Sequence, residues 1–202
     1  MSTKKTEFVK CMSPKFRASF AQVFTPKSME GSTVEKYSVV MLFDKEAQAT
    51  PEYKAMKAAA KKKLVEKFGA DEKKWPANLK NPFRSGAEKS GKYEGYTDDV
   101  IFVTASSLAK NKPGIVDNNR QDIISEEDFY SGCYARATIN PYAYSKAGNN
   151  GVAFGLLNIQ KLGDGEPFSG KTAAKDDFEA VEVESDFASN DDNSEDGDSS
   201  EW

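Results

Sequence analysis

The chain of 202 residues carries 28 Lys or Arg against 32 Asp or Glu, two Cys and no His. Without His it lacks the commonest metal ligand and general base, and two Cys cannot build a disulfide framework or a four-cysteine zinc site, so most hydrolytic and zinc chemistries are excluded. The net charge of −4 conceals a division: Asp176–Trp202 holds twelve acids and no base, which leaves residues 1–175 with 28 bases and 20 acids, about +8.

Met1–Lys5 leads into no apolar stretch of signal-peptide length, and no run approaches the ~18 apolar residues of a membrane span, so the expectation is a cytoplasmic protein without a membrane partner. From Phe8 to Phe24 the residues alternate, with Phe16, Ala18, Phe20 and Phe24 on one side and Lys15, Arg17, Ser19, Ala21 and Val23 on the other, which is a strand period. Thr25–Glu35 reads as a loop, and the apolar run Tyr37–Phe43 as a buried strand pairing back onto the first. A helix follows: Thr50 can cap it, Pro51 fits its first position, Gly69 ends it, and Tyr53, Met56, Ala60, Leu64 and Phe68 fall on one face. The other face carries Lys54, Lys57, Lys61, Lys62 and Lys67, an ordinary solvated surface with no Asn or Arg set for reading a duplex groove.

Asp71–Tyr96 is a long basic loop region bearing Trp75, Phe83, Tyr93 and Tyr96. Loops of that length inside a domain are generally functional or disordered, and the aromatic content argues for the first. Val100–Ala105 is the next strand, Lys110–Gly114 a turn, and Ser125–Asp128 a capped helical turn. In Phe129–Tyr144, FYSGCYARATINPYAY, one face carries Cys133, Ala135, Ala137 and Ile139, and the other Tyr134, Arg136, Thr138, Asn140 and Tyr142. That second face is aromatic, cationic and hydrogen-bonding at once. Gly148–Gly151 signals a turn, so Val152–Leu162 should return as a hairpin. Gly163–Lys171 then exits into the tail, which has too few apolar residues to fold against its own charge. The predicted organisation is therefore one domain over 1–175 and a disordered acidic tail over 176–202 ending in an aromatic. Hairpin-linked strands with one inserted helix predict a mainly β protein, an antiparallel barrel like the oligonucleotide/oligosaccharide-binding (OB) fold.

No glycine-rich phosphate cradle is present, and no cofactor is implied. A metal-dependent nuclease would have to draw on Asp98, Asp99 and Glu126–Asp128, and adjacent acids on a strand point to opposite faces. Cys133 has no His to activate it and reads as a small buried hydrophobe. Single-strand binding asks only for a basic groove and aromatic faces on which bases stack. Phe16, Phe20, Phe43, Phe102 and Phe154 are expected in the core, whereas Tyr134, Tyr142 and Tyr144 share their strand with Arg136 and are better placed to stack.

The stretches NPFRSGAEK (Asn81–Lys89), ASSLAKNKPGIVD (Ala105–Asp117), FYSGCYARATINPYAY and GVAFGLLNIQKLGDGEPFSG (Gly151–Gly170) resemble bacteriophage single-stranded DNA-binding proteins with an OB fold and an acidic C-terminal tail. The resemblance covers most of Phe8–Phe178. It implies a non-enzymatic protein that binds single-stranded DNA during phage replication and recombination in the host cytoplasm, with the tail recruiting replication or recombination proteins and competing with DNA. Related short-tailed phage proteins commonly end in Phe where this chain has Trp202. From strand faces and loop chemistry, the candidate DNA-binding residues are Lys15, Arg17, Phe83, Arg84, Lys89, Lys92, Tyr93, Lys110, Lys112, Tyr134, Arg136, Tyr142, Tyr144 and Lys146, and the candidate partner-docking residues are Asp198, Glu201 and Trp202. An acidic-tailed adaptor that binds no nucleic acid and a metal-dependent nuclease stay open as alternatives, as does a homodimer.

Overall fold

The computed structural model describes residues 9–28, 31–146 and 148–168. These lie in one compact unit, Met1–Gly170; the acidic tail, with Asp198, Glu201 and Trp202, lies outside the described residues. In chain order the elements are β1 (Cys11–Met12), β2 (Phe16–Ser28), β3 (Glu35–Phe43), α1 (Lys45–Ala49), α2 (Pro51–Phe68), β4 (Leu79–Lys80), β5 (Arg84–Ser85), β6 (Ile101–Leu108), β7 (Gly114–Val116), β8 (Tyr134–Lys146) and β9 (Asn149–Gly163). Single 3-10 turns at Glu72–Lys74 and Gly86–Lys89 punctuate the long loop region.

Five strands close on themselves in the order β2, β3, β6, β9, β8 and back to β2, and the short strands flank this ring. Four of the five seams are antiparallel. The fifth, β6 with β9, is parallel at Ala105↔Phe154 and Ser106↔Gly155, so the barrel is not wholly antiparallel as the hairpin pattern suggests. This is a mainly β architecture of the OB type, with two helices rather than one inserted between β3 and β6. The interior is filled by alternate residues of all five strands, including Phe16, Met41, Phe43, Val103, Ile139 and Phe154. A second, smaller core lies on the outer face of β3 and β6, where Val40, Leu42 and Phe102 are covered by Tyr96, Val100 and Phe168.

Helix α2 forms as its sequence signals dictate. Thr50 Oγ1 accepts from Tyr53 N at 3.3 Å, Pro51 needs no hydrogen-bond partner for its nitrogen, and Gly69 ends the helix at φ +91°. Tyr53, Met56 and Ala60 are buried, and Leu64 packs on the same core. Lys63 is buried as well and its ammonium reaches Glu66 at 2.8 Å. The preceding α1, which the hydrophobic pattern does not reveal, is capped by Asp44, whose carboxylate accepts from Ala47 N at 2.8 Å.

Strand β2 departs from the simple alternation. Its register against β3 shifts between Ser19 and Gln22, and Phe20 there takes φ +45°. A bulge moves the side chains that follow it to the other face, here as far as a second register shift between Gln22 and Lys27. Val23 is therefore buried in place of an outward position, while Phe20, expected in the core, is exposed. The strand also runs on to Ser28, into residues read as loop.

Phe154 is fully buried and meets the Phe83 ring at 5.8 Å. Phe154→Ala is expected to lower the unfolding free energy by about 3–5 kcal/mol and Thr50→Ala by about 1 kcal/mol, measured by denaturant titration.

Candidate nucleic-acid interface

Strand β8 positions its side chains as its alternation requires: Ala135, Ala137 and Ile139 are buried, and Tyr134, Arg136, Thr138, Asn140 and Tyr142 point outward. Its pairing with β9 runs from Tyr134↔Gly163 to Lys146↔Asn149 with register shifts between Tyr134 and Ala135 and between Thr138 and Ile139, and Asn149–Gly151, expected in the turn, are already strand. Outward residues of neighbouring strands then meet in a row: Ser38 is opposite Ser106, Ser106 is beside Gly155, and Gly155 is opposite Asn140. A side chain at Gly155 would place its Cβ 2.2 Å from Asn140 Oδ1, so only glycine lets the amide lie flat there. The last three of these residues floor an open groove of about 790 Å³.

The groove walls carry Lys10, Lys36 and Lys112, with Tyr142 and Leu108 as apolar surface and Asn111 and Asn158 as hydrogen-bonding groups. Among the described residues that line it there is no Asp or Glu. Lysines with no compensating acid attract anions, and the small floor leaves room for a chain to lie along it. Tyr142 is partly exposed, and desolvation together with the neighbouring Tyr144 pushes its phenol above the ordinary value, so it stays a neutral donor and stacking face.

A second cluster lies on the same outer face, toward the other end of β3 and β6. Lys89 Nζ is 4.8 Å from the Phe20 ring centre, 5.4 Å from Tyr93 and 5.1 Å from both Tyr96 and Phe102. Burial holds the Lys89 ammonium below the usual lysine range, with repulsion from Arg84 and Lys92 working against Glu88. Arg84 stands over Phe102 and forms a short ion pair with Glu88. Lys92 is exposed beside Tyr93.

The third group surrounds Tyr134. Lys15 and Arg17 approach its ring at 5.4 and 5.9 Å, and the Arg17 guanidinium also stacks on Phe168 at 4.3 Å. Arg17 is committed to the backbone: Nε donates to Gly132 O at 3.1 Å and Nη2 to Glu166 O at 2.8 Å. Phe168 N in turn donates to Ser131 O at 2.9 Å, and Gly132, at φ +117°, has no space for a side chain against Glu166 O. Residues 166–168 are thereby held against β2.

The structure thus divides the residues expected from sequence. Lys112 and Tyr142 share the groove, and Arg84, Lys89, Lys92 and Tyr93 share the second cluster. Lys15, Arg17 and Tyr134 form the third. Arg136 shares a face with Tyr134 but donates to Gln160 Oε1 at 2.9 Å, and Gln160 is bound to Asp117 O. Tyr144 and Lys146 lie near the hairpin tip, Tyr144 with its hydroxyl close to Gly151, and Lys110 is exposed beyond β6. Phe83 does not join its loop neighbours on the surface: its ring is wedged between Tyr53 at 5.7 Å and Phe154 at 5.8 Å. Lys10, Lys36 and Asn111 were not legible as site residues, since each comes from a different segment and only barrel closure brings them together. Among the described residues, no group of His, Cys, Asp or Glu could hold a metal ion, and no helix is long and apolar enough to cross a membrane.

A family model described as the Enterobacter phage Enc34 ssDNA-binding protein matches residues 9–188. The chain belongs to this phage single-stranded DNA-binding protein family. Protein p50 of Acyrthosiphon pisum secondary endosymbiont phage 1 is 31% identical over 184 residues, covering 86% of this chain and 96% of the relative. Among solved structures, the single-stranded DNA-binding protein of bacteriophage Enc34 in complex with ssDNA superposes with a TM-score of 0.66 at 18% identity, over 83% of this chain and 97% of that one. The single-stranded DNA-binding protein gp2.5 of bacteriophage T7 gives 0.58 at 16% identity, over 89% and 97%. At those identities the structural likenesses establish the shared fold. The three clusters described above are carried by this chain on the outer face of that shared fold.

Arg17 makes two charge-assisted bonds to carbonyls, each worth about 1.5–3 kcal/mol. Arg17→Met should therefore speed amide exchange at Phe168 by tenfold or more relative to barrel amides, read by hydrogen exchange; unchanged protection would show that residues 166–168 are held by other contacts.

Proposed function

We propose that this protein binds single-stranded DNA without sequence preference and without catalysis, and that it protects and organises the strand during phage replication and recombination in the host cytoplasm. The observation that carries this reading is the groove: Lys10, Lys36 and Lys112 around Tyr142, with no acid among its described lining residues, on the outer barrel face. OB folds take up oligonucleotides across such an outer strand face. Family membership supports the same ligand, and one relative of this fold is described as being in complex with ssDNA.

The lysines neutralise phosphates and so set affinity and its salt dependence, while Tyr142 offers a face to any base. Of the residues named from sequence, Lys112 and Tyr142 form the centre of the proposed path. Arg84, Lys89, Lys92 and Tyr93 extend it at one end, Tyr144 and Lys146 border it at the hairpin tip with Lys110 beyond β6, and Lys15 and Arg17, at the start of β2, flank it with Tyr134 and Arg136 of β8. Phe83 supports this surface from the core side.

Filter binding with labelled oligo(dT) and duplex DNA, with and without magnesium, tests the reading. Tight retention of oligo(dT) without cleavage is expected; no retention would favour an adaptor, and magnesium-dependent loss of substrate a nuclease. Lys36→Ala and Lys112→Ala should each flatten the salt slope by about 0.7. Tyr142→Ala should cost about 1–3 kcal/mol with the slope unchanged.

The acidic segment Asp176–Trp202 enters the proposal as an intramolecular rival of the strand and a recruiter of partner proteins through Asp198, Glu201 and Trp202. Twelve acids tethered to a basic body act at an effective concentration in the millimolar range if the connection is flexible, about the level at which weak ionic contacts compete. Removing residues 176–202 should raise oligo(dT) affinity most at low salt, where the Debye length is ~30 Å at 0.01 M against ~8 Å at physiological salt. Removing Trp202 alone should leave DNA binding almost intact while weakening a partner that captures the terminal aromatic. Equal affinities of full-length and tailless chains at low salt would leave the segment a docking or solubility element only.

A further inference from the structure

Phe20 is the residue that the fold treats least economically. A bulge turns its ring out of the barrel at φ +45°, and 38% of its surface is left exposed beside Tyr93, itself 40% exposed. The two rings meet edge to face at 5.1 Å and 78°. Unusual backbone at a bulge persists where the surrounding structure enforces it, and bulges often serve to aim a side chain. What lies over this wall is the Lys89 ammonium, within 4.8–5.4 Å of four ring centres. Arg84 and Lys92 stand close by, and Glu88, the nearest acid, is taken up by Arg84.

The wall and the groove lie on one surface. Along the outer face of the β3–β6 ladder, the pair Leu42↔Phe102 borders the aromatic cluster and the pair Lys36↔Leu108 borders the groove. Phe102 and Leu108 are six residue steps apart along the strand, roughly 20 Å. An oligonucleotide lying along the groove therefore has the Phe20–Tyr93 wall on its path.

We infer that Phe20 and Tyr93 form a second nucleobase subsite, covered by Lys89 in the DNA-free protein. A base entering it stacks on the rings that the ammonium now occupies, and Lys89 swings outward to the adjoining phosphate. The cation exchanges contact with ring faces for contact with an anion, so its charge is compensated in both states. The ammonium thereby stands where a base would, over rings that remain partly exposed. The inference rests on the single-strand reading above and adds a specific platform to it.

The test is an oligo(dT) titration at several salt concentrations, together with NMR of lysine side chains labelled at Cε. Phe20→Leu keeps apolar bulk beneath the loop but removes the ring, and should weaken binding of an oligo(dT) of about sixteen nucleotides by about five- to a hundredfold with an unchanged salt slope. Tyr93→Ala, at an exposed loop position, gives the same readout should the Phe20 variant fail to fold. The Lys89 signal should be displaced upfield by the rings in the free protein and move to an ordinary position at saturation. If both ring variants bind as tightly as the unaltered chain, or Lys89 stays ring-shifted at saturation, the subsite is overturned and the cluster is a rivet for the loop. Should the unaltered chain fail to retain oligo(dT), the single-strand reading falls first and the subsite with it.

Discussion

The parallel seam between β6 and β9 is the constraint on which the rest depends. Without it, β2, β3 and β6 form an open meander, and β8 and β9 a hairpin attached to it through β2 alone. Pairing Ala105 with Phe154 and Ser106 with Gly155 joins the two and encloses Phe16, Met41, Phe43, Val103, Ile139 and Phe154 in one interior. The same two pairs set the register of the outer surface. Ser106 and Gly155 lie side by side because Ala105 and Phe154 do, and the groove floor is the reverse of a core layer.

That coupling explains why a low apolar content of 38% suffices. A closed ring leaves only short strands at its margins, so little backbone stays unpaired and side chains on the outside are free to be basic or aromatic. The outer face of β3 and β6 uses this freedom in two ways along its length. At one end it is sealed by Tyr96, Val100 and Phe168 into a second core; at the other it is left open, polar and positively charged. A rigid apolar base beside a solvated basic channel is a suitable support for a flexible polyanion whose bases also seek a surface.

Much of this architecture can be read from local sequence. Strand β8 is legible in its alternation and α2 in Thr50, Pro51 and Gly69 at its ends, whereas the Gly-Asn-Asn-Gly run signals the hairpin but not its bounds, since Asn149–Gly151 already belong to β9. Phe20 was misplaced because a single inserted residue reverses the period, and no side-chain pattern announces a bulge. Phe83 belongs by sequence to a basic surface loop, yet the brief pairing of Arg84–Ser85 with β6 leaves it half-buried between Tyr53 and Phe154. The groove itself was the least visible part. Lys10, Lys36, Asn111 and Asn140 come from four segments, and only long-range register makes them neighbours. Composition identified the chemistry of the surface, but the location of that chemistry is a property of closure.

The parallel seam also governs how the chain can reach its native state. Its partners are about fifty residues apart in sequence, and β2 finds β8 more than a hundred residues away, so the barrel is rich in contacts whose loop-closure entropy is met before any packing rewards it. Strand β9 is the last described element and it touches β4, β6, β7 and β8. During synthesis, at about 5–20 residues per second, the earlier strands must wait for it with β6 and β8 each short of a neighbour. Until it arrives, the unpaired edges of β6 and β8 are the places where a nascent chain can pair with another copy of itself.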